Sequence, residues 1–208
     1  MKTTLTFVTD PLCSWCWATL PNVLTLRQQF QSEIHFELMM AGLQVGSSGQ
    51  LNEFEMGRLN QVWHEVKTTT DIELSGIIPP DFIYHSEKIC RALQAARLLK
   101  NEPPWRFFQA LQHQFYVHGS NIRSDAVLSE LAESCDINPT AMLKTMGTEA
   151  CKAMTHAEFD TAKRLGANAL PSLLLDKGSH PRLMSGGYVS YDYLVETLTN
   201  WLEDPSIQ

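Results

Sequence analysis

The sequence predicts an α/β fold in which a strand–helix–strand unit and a hairpin–helix unit share one sheet, with a large all-helical segment inserted between them. Three observations carry this expectation. Strand-like runs lie near both ends of the chain, apolar residues follow a helical period through the middle, and the one close cysteine pair sits where the first strand gives way to the first helix. At 208 residues the chain is long enough for one domain with an insertion.

Residues 3–9 alternate around β-branched side chains and read as a strand, which Asp10-Pro11 stops. Trp17, Leu20, Val23, Leu24 and Phe30 mark one buried face of a helix over 17–30, and 34–40 reads as a second strand. That spacing suits a right-handed crossover between parallel strands. Met56, Leu59, Val62, Trp63 and Val66 then form a helical stripe. Ser86 is expected to cap a helix running through Ile89, Leu93 and Ala96 to Leu99. Pro103-Pro104 precedes a helix with Trp105, Phe108, Leu111 and Phe115 on one face and Gly119 as its stop. Ser124 is expected to cap a short helix to about Cys135, Asn138-Pro139 to open the next, and a last one to cover roughly 149–165. After Gly166 the pattern returns to strands: 172–175, a Lys177-Gly178 turn, 182–185, and a break at Gly186-Gly187. Ser190 caps a final helix with Leu194, Val195, Leu198, Trp201 and Leu202 facing inward. This order assigns 1–40 and 167–208 to one domain and 41–166 to a helical insertion.

Composition narrows the function classes. The chain is 44% hydrophobic and 19% charged, as ordinary globular proteins are. A formal net charge of -7 gives no support for a nucleic-acid or anionic-membrane partner. No run approaches the ~18 apolar residues a membrane span needs, and the first residues lack the pattern of a secretory leader. A cytoplasmic location is therefore expected. Five cysteines are too few and too scattered for a secreted disulfide framework, and their odd number leaves at least one thiol unpaired. The oligomeric state is not legible.

The chemistry concentrates in Cys13-Ser14-Trp15-Cys16. Residues three apart in the first turn of a helix lie about 5–6 Å apart at Cα, a separation that a disulfide spans. Cys13 is expected to face solvent where unpaired backbone N–H groups converge, and Cys16 to lie further in and covered. Helix N-termini stabilise the thiolate, which is the nucleophilic form. Cys13 is thus the expected nucleophile and Cys16 the resolving thiol that releases a mixed disulfide. Ser14 and Trp15 bring no cationic side chain, so thiolate stabilisation falls to the helix end and local N–H donors. A zinc site would need two more ligands in a second cluster. The seven histidines, His113 and His118 among them, show no i,i+4 pairing and no neighbouring cysteine, so no metal is expected. Cys90, Cys135 and Cys151 read as small core residues, and Trp63, Trp105, Phe107, Phe108 and Phe115 as core packing. Trp15, flanking the reactive sulfur, reads as docking surface, while Trp17 suits either docking or the interior. Asp10 suits either tuning the thiol or simply ending a strand.

The stretch TFVTDPLCSWCWATLP resembles the thioredoxin superfamily, and DsbA-like proteins in particular. Pro21 stands five residues after Cys16, where thioredoxins carry a helix-kinking proline. Residues 166–173, GANALPSL, resemble the loop bearing the superfamily's cis-proline. The resemblance implies that Pro171 faces the Cys13 sulfur and that Leu170 offers its backbone to substrate as an added strand. Residues 86–97, SEKICRALQAAR, resemble a helix of cytosolic DsbA-like disulfide isomerases, relatives of FrnE-type enzymes, hydroxychromene carboxylate isomerases and kappa-class glutathione transferases. The implied activity is thiol–disulfide oxidoreductase or isomerase chemistry on protein or peptide disulfides, with no bound cofactor and with glutathione as a candidate reductant. The transferases and the carboxylate isomerases use serine where this chain has Cys13. A glutathione-dependent transferase or isomerase is therefore the alternative enzyme, and a non-enzymatic redox sensor the alternative outside catalysis.

Overall fold

The computed structural model describes residues 3–43 and 49–204; the chain ends included in the expected domain bounds lie outside it. Strand β1 (Thr4–Thr9) lies at the centre of a four-stranded mixed sheet of order β2-β1-β3-β4. Helix α1 (Ser14–Phe30) carries the chain across, so β2 (His35–Met40) pairs with β1 in parallel, Thr9 opposite Met40. From the far end of the chain, β3 (Ser172–Asp176) pairs antiparallel with β1, Val8 opposite Ser172, and β4 (Arg182–Gly186) pairs antiparallel with β3. The two central strands are the most buried, because helices cover both faces of the sheet.

Six helices separate β2 from β3: α2 (Glu53–Thr69), α3 (Glu87–Lys100), α4 (Trp105–Tyr116), α5 (Asp125–Ser134), α6 (Pro139–Met146) and α7 (Glu149–Arg164). Helix α8 (Tyr191–Glu203) completes the order. The fold is the expected thioredoxin-like α/β sheet with a helical insertion.

Most helix starts have a local cause. Asn52 and Glu55 form a reciprocal capping box at α2, and Asn138, Thr148 and Ser190 cap α6, α7 and α8 with their side chains. Ser86 and Ser124 occupy the positions expected of caps but make no capping bond. The backbone at Ser86 is already helical, and its hydroxyl turns instead to Asp10 and Leu43. Helix α1 begins at Ser14, three residues before the apolar pattern suggests, because the Cys13 sulfur takes the capping role and accepts the Cys16 N–H.

One continuous apolar core joins the sheet to the insertion. Phe7 of β1 stacks on Trp105 of α4 at 6.3 Å between ring centroids and meets Phe108 edge-on. Trp63, Phe82, Tyr84, Phe115 and Tyr116 form a contiguous ring cluster beside them. Such pairs add about 0.5–1.5 kcal/mol each beyond their buried area. A smaller cluster of Val8, Ala162, Ala167 and Leu174 packs where α7 returns to the sheet. The loop leaving β2 passes between these layers through Gly42, whose φ of +72° and 2.7 Å clearance from the Phe159 ring leave no room for a Cβ.

Candidate active site

The site assembles where β1 ends. Asp10 and Leu12 form the turn, and Cys13 stands at the N-cap of α1. The Cys16 N–H donates to the Cys13 Sγ at 3.3 Å. Both thiols are free. Cys13 is only 8% exposed, a correction to the solvent-facing position expected from sequence. Its cover comes from the insertion: Tyr84 donates its O–H to the Leu12 carbonyl at 2.5 Å and lies beside the sulfur, while Leu43, Leu51 and α2 wall the approach. Cys16 is wholly buried, as expected. That burial pushes its thiol well above the ordinary value, and the neighbouring Cys13 sulfur reinforces the shift.

A groove of about 330 Å³ opens onto Cys13. Its floor is Leu12, Cys13, Ser14 and Trp15; its walls include Leu43, Leu51, Leu59, Val62 and Tyr84; Glu55 and Arg58 of α2 stand on its rim. Among the expected substrate-contact residues, Ser14 and Trp15 line this groove, and Trp15 leans on Tyr188 with ring centroids 5.8 Å apart. Trp17 turns inward: it stacks on Tyr116 and donates its ring N–H to the Glu73 carbonyl at 2.9 Å. The Leu170–Pro171 peptide is cis. The register of β3 against β1 sets Pro171 just beyond the pair Val8–Ser172, at the end of the sheet where β1 runs into Cys13. Pro171 accepts the Gly187 N–H at 2.7 Å, and Leu170 is half-buried between the two apolar clusters.

Asp10 does more than end a strand. It is fully buried and accepts the backbone N–H groups of Leu12 and Leu43. Desolvation raises its carboxyl to about 6, against the hydrogen bonds from Ser86, Leu43, Leu12 and Cys90. Cys90, read from sequence as a small core residue, is buried against this carboxyl; desolvation, reinforced by the carboxyl beside it, holds the thiol well above its ordinary value. Sequence reasoning missed Tyr84, Leu43 and the two charged residues of α2. Tyr84 and Leu43 lie outside every periodic segment, and Glu55 and Arg58 read as ordinary exposed helix positions.

A family model described as thioredoxin matches residues 6–195, nearly the whole length that carries the sheet, the insertion and the cysteine pair. The chain belongs to the DsbA-like thioredoxin family. Among solved structures it is similar to a candidate protein disulfide isomerase from Nitrosomonas europaea, with 27% identity, 98% of each chain covered and a TM-score of 0.90. It is also similar in fold to the cytosolic disulfide reductase DsbM from Pseudomonas aeruginosa, at 19% identity over 95% of this chain and 98% of that one, with a TM-score of 0.76. That reductase has also been solved with glutathione. The ClpXP adapter protein SpxH of Bacillus subtilis is 22% identical over 204 residues, 94% of this chain. The chain spans 66% of that relative's length, just under two thirds. No helix among the described residues is long and apolar enough to cross a membrane.

Proposed function

We propose that this protein is a thiol–disulfide oxidoreductase in which Cys13 exchanges with a substrate disulfide and Cys16 resolves the product. The observation that carries this reading is the asymmetry of the pair. Cys13 caps a helix, receives an N–H and faces a groove, whereas Cys16 is sealed and kept protonated by burial. In the reduced protein the Cys13 thiolate attacks one sulfur of the substrate, forming a mixed disulfide and expelling the other sulfur as thiolate. Cys16 then loses its proton and attacks the Cys13 sulfur. The internal disulfide forms, the second substrate thiolate leaves, and two electrons have passed from protein to substrate. The same steps in reverse oxidise a substrate dithiol.

The groove supports a small or extended peptide disulfide as substrate. Its walls are apolar, while Arg58 and Glu55 on the rim offer one cationic and one anionic contact, suited to the charged ends of a short thiol peptide such as glutathione. Glutathione bound to the DsbM relative agrees with this choice of reductant. A cytosolic setting fits the name of that relative. The decisive test is Cys16→Ser. A disulfide exchanger should lose turnover with oxidised glutathione and accumulate a mixed disulfide on Cys13, read by mass spectrometry. Transfer or isomerisation with reduced glutathione that survives in Cys16→Ser would instead identify a glutathione-dependent transferase or isomerase.

The likeness to an adapter protein favours a second reading, a binding module whose surface changes with the redox state of the pair. That module would form the Cys13–Cys16 disulfide yet show negligible turnover on any disulfide.

A further inference from the structure

Asp10 lies buried beneath the loop that presents Cys13, and its hydrogen bonds do not balance for a carboxylate. Oδ1 accepts the Leu12 N–H at 2.9 Å, and Oδ2 accepts the Leu43 N–H at 2.6 Å. Oδ2 also lies 2.7 Å from the Ser86 Oγ, with the Cys90 Sγ a weaker neighbour at 3.9 Å. The same Ser86 Oγ lies 2.7 Å from the Leu43 carbonyl oxygen. A hydroxyl has one hydrogen. With Asp10 ionised, Ser86 can satisfy only one of these two acceptors, and the other contact holds two oxygens at hydrogen-bond distance with no proton between them. A proton on Oδ2 removes the conflict. Asp10 then donates to Ser86, Ser86 donates to the Leu43 carbonyl, and the Leu43 N–H still has its acceptor.

We propose that Asp10 is a positioning residue that holds a proton beneath the Cys13 loop, and that ionisation forces Ser86 to choose between the carboxylate and Leu43, shifting one wall of the groove. The inference rests on the reading of that groove as the substrate site. Leu12 and Leu43, the two backbone segments that Asp10 ties together, are respectively floor and wall of the groove. The groups around Asp10 are Cys90 and Ser86 at the start of α3, Tyr84 before it, Tyr116 of α4, and Cys13 and Cys16 at the start of α1, with Gln112 of α4 donating to the Asp10 backbone carbonyl. None is a cation, so nothing among these neighbours compensates an anion. Burial raises the Asp10 carboxyl to about 6, which puts the change of state in an accessible range.

The test uses the reduced full chain with carbon-13 in its aspartate carboxyls. The Asp10 carboxyl should remain protonated until about pH 6, with the Leu12 and Leu43 amide signals moving at the same midpoint. Asp10→Asn should abolish both movements. In Ser86→Ala, which keeps the carboxyl buried, the Leu12 amide should still follow the titration while the Leu43 carbonyl signal no longer does. An Asp10 that ionises in the ordinary carboxylate range overturns the proposal, as does a Leu43 carbonyl still responding in Ser86→Ala. With oxidised glutathione as substrate, the wild-type KM should change across this midpoint and that of Asp10→Asn should not; a wild-type KM flat across it also overturns the proposal. A wild-type protein with no turnover would count against the oxidoreductase reading, while the titration would still decide the protonation state of Asp10.

Discussion

Tyr84 and Asp10 hold the Cys13 turn from opposite sides, one through a carbonyl and one through an amide of the same residue, Leu12. Tyr84→Phe removes the only hydroxyl on that carbonyl among the described residues and should cost about 1–3 kcal/mol, the usual penalty for stranding a buried acceptor. Urea unfolding should show a lower midpoint with an unchanged slope. Exchange should slow as well, since the loosened residue precedes Cys13, the proposed nucleophile. Asp10 makes an opposite contribution at neutral pH. Its folded-state value of about 6 exceeds the ordinary 3.8, so between these limits the folded chain binds a proton that the unfolded chain has lost. Stability from this group is fully present at low pH, falls as pH rises through the window, and stays lower by about 3 kcal/mol above it. Glu158, also raised by burial despite Arg97, acts in the same direction. The difference in unfolding free energy between wild type and Asp10→Asn should therefore change across that window and be level above it.

At the scale of elements, α2 matters because its first turn stands over the groove. The Asn52–Glu55 capping box fixes that turn, with the Asn52 side chain accepting the Glu55 N–H at 3.0 Å and the Glu55 carboxylate accepting the Asn52 N–H at 2.9 Å. Asn52→Ala should cost about 1 kcal/mol, mostly as local fraying. Because Glu55 and Arg58 lie on that turn and the next, KM for oxidised glutathione should rise while kcat changes little. Steady-state kinetics separates the two. Arg58 also lies over the Phe54 ring, which is 73% exposed, so the fraying would release the guanidinium from its only ring contact among the described residues. Helix α1 contributes differently. Its interior Pro21 interrupts the hydrogen-bond ladder, and nearby hydroxyls bond backbone carbonyls, Thr19 donating to that of Trp15 and Thr25 to that of Pro21 itself.

Across the whole molecule, insertion and sheet share one core, and Phe108 of α4 against Phe7 of β1 is part of the seam. Phe108→Ala should destabilise the protein by about 3–5 kcal/mol, and circular dichroism and tryptophan fluorescence should still report one coincident transition. Two separated transitions would show the insertion to be an independent unit. Alternation in residues 4–9, the helical stripes and the cysteine pair at a strand–helix junction are local signals, and they determined the element order, the shared sheet with its helical insertion, and the Cys13–Cys16 pair as the candidate site. They are legible because each is set by neighbours within one or two turns. Ser86 illustrates where that reasoning ends: locally it is a cap, but a buried carboxyl 76 residues away is a stronger partner for its hydroxyl. The cover over Cys13, the groove beneath α2, the inward turn of Trp17 and the proton-holding environment of Asp10 arise from contacts between segments far apart in the chain. Burial and hydrogen-bond competition of that kind have no period and no spacing to read, so only the tertiary structure decided them.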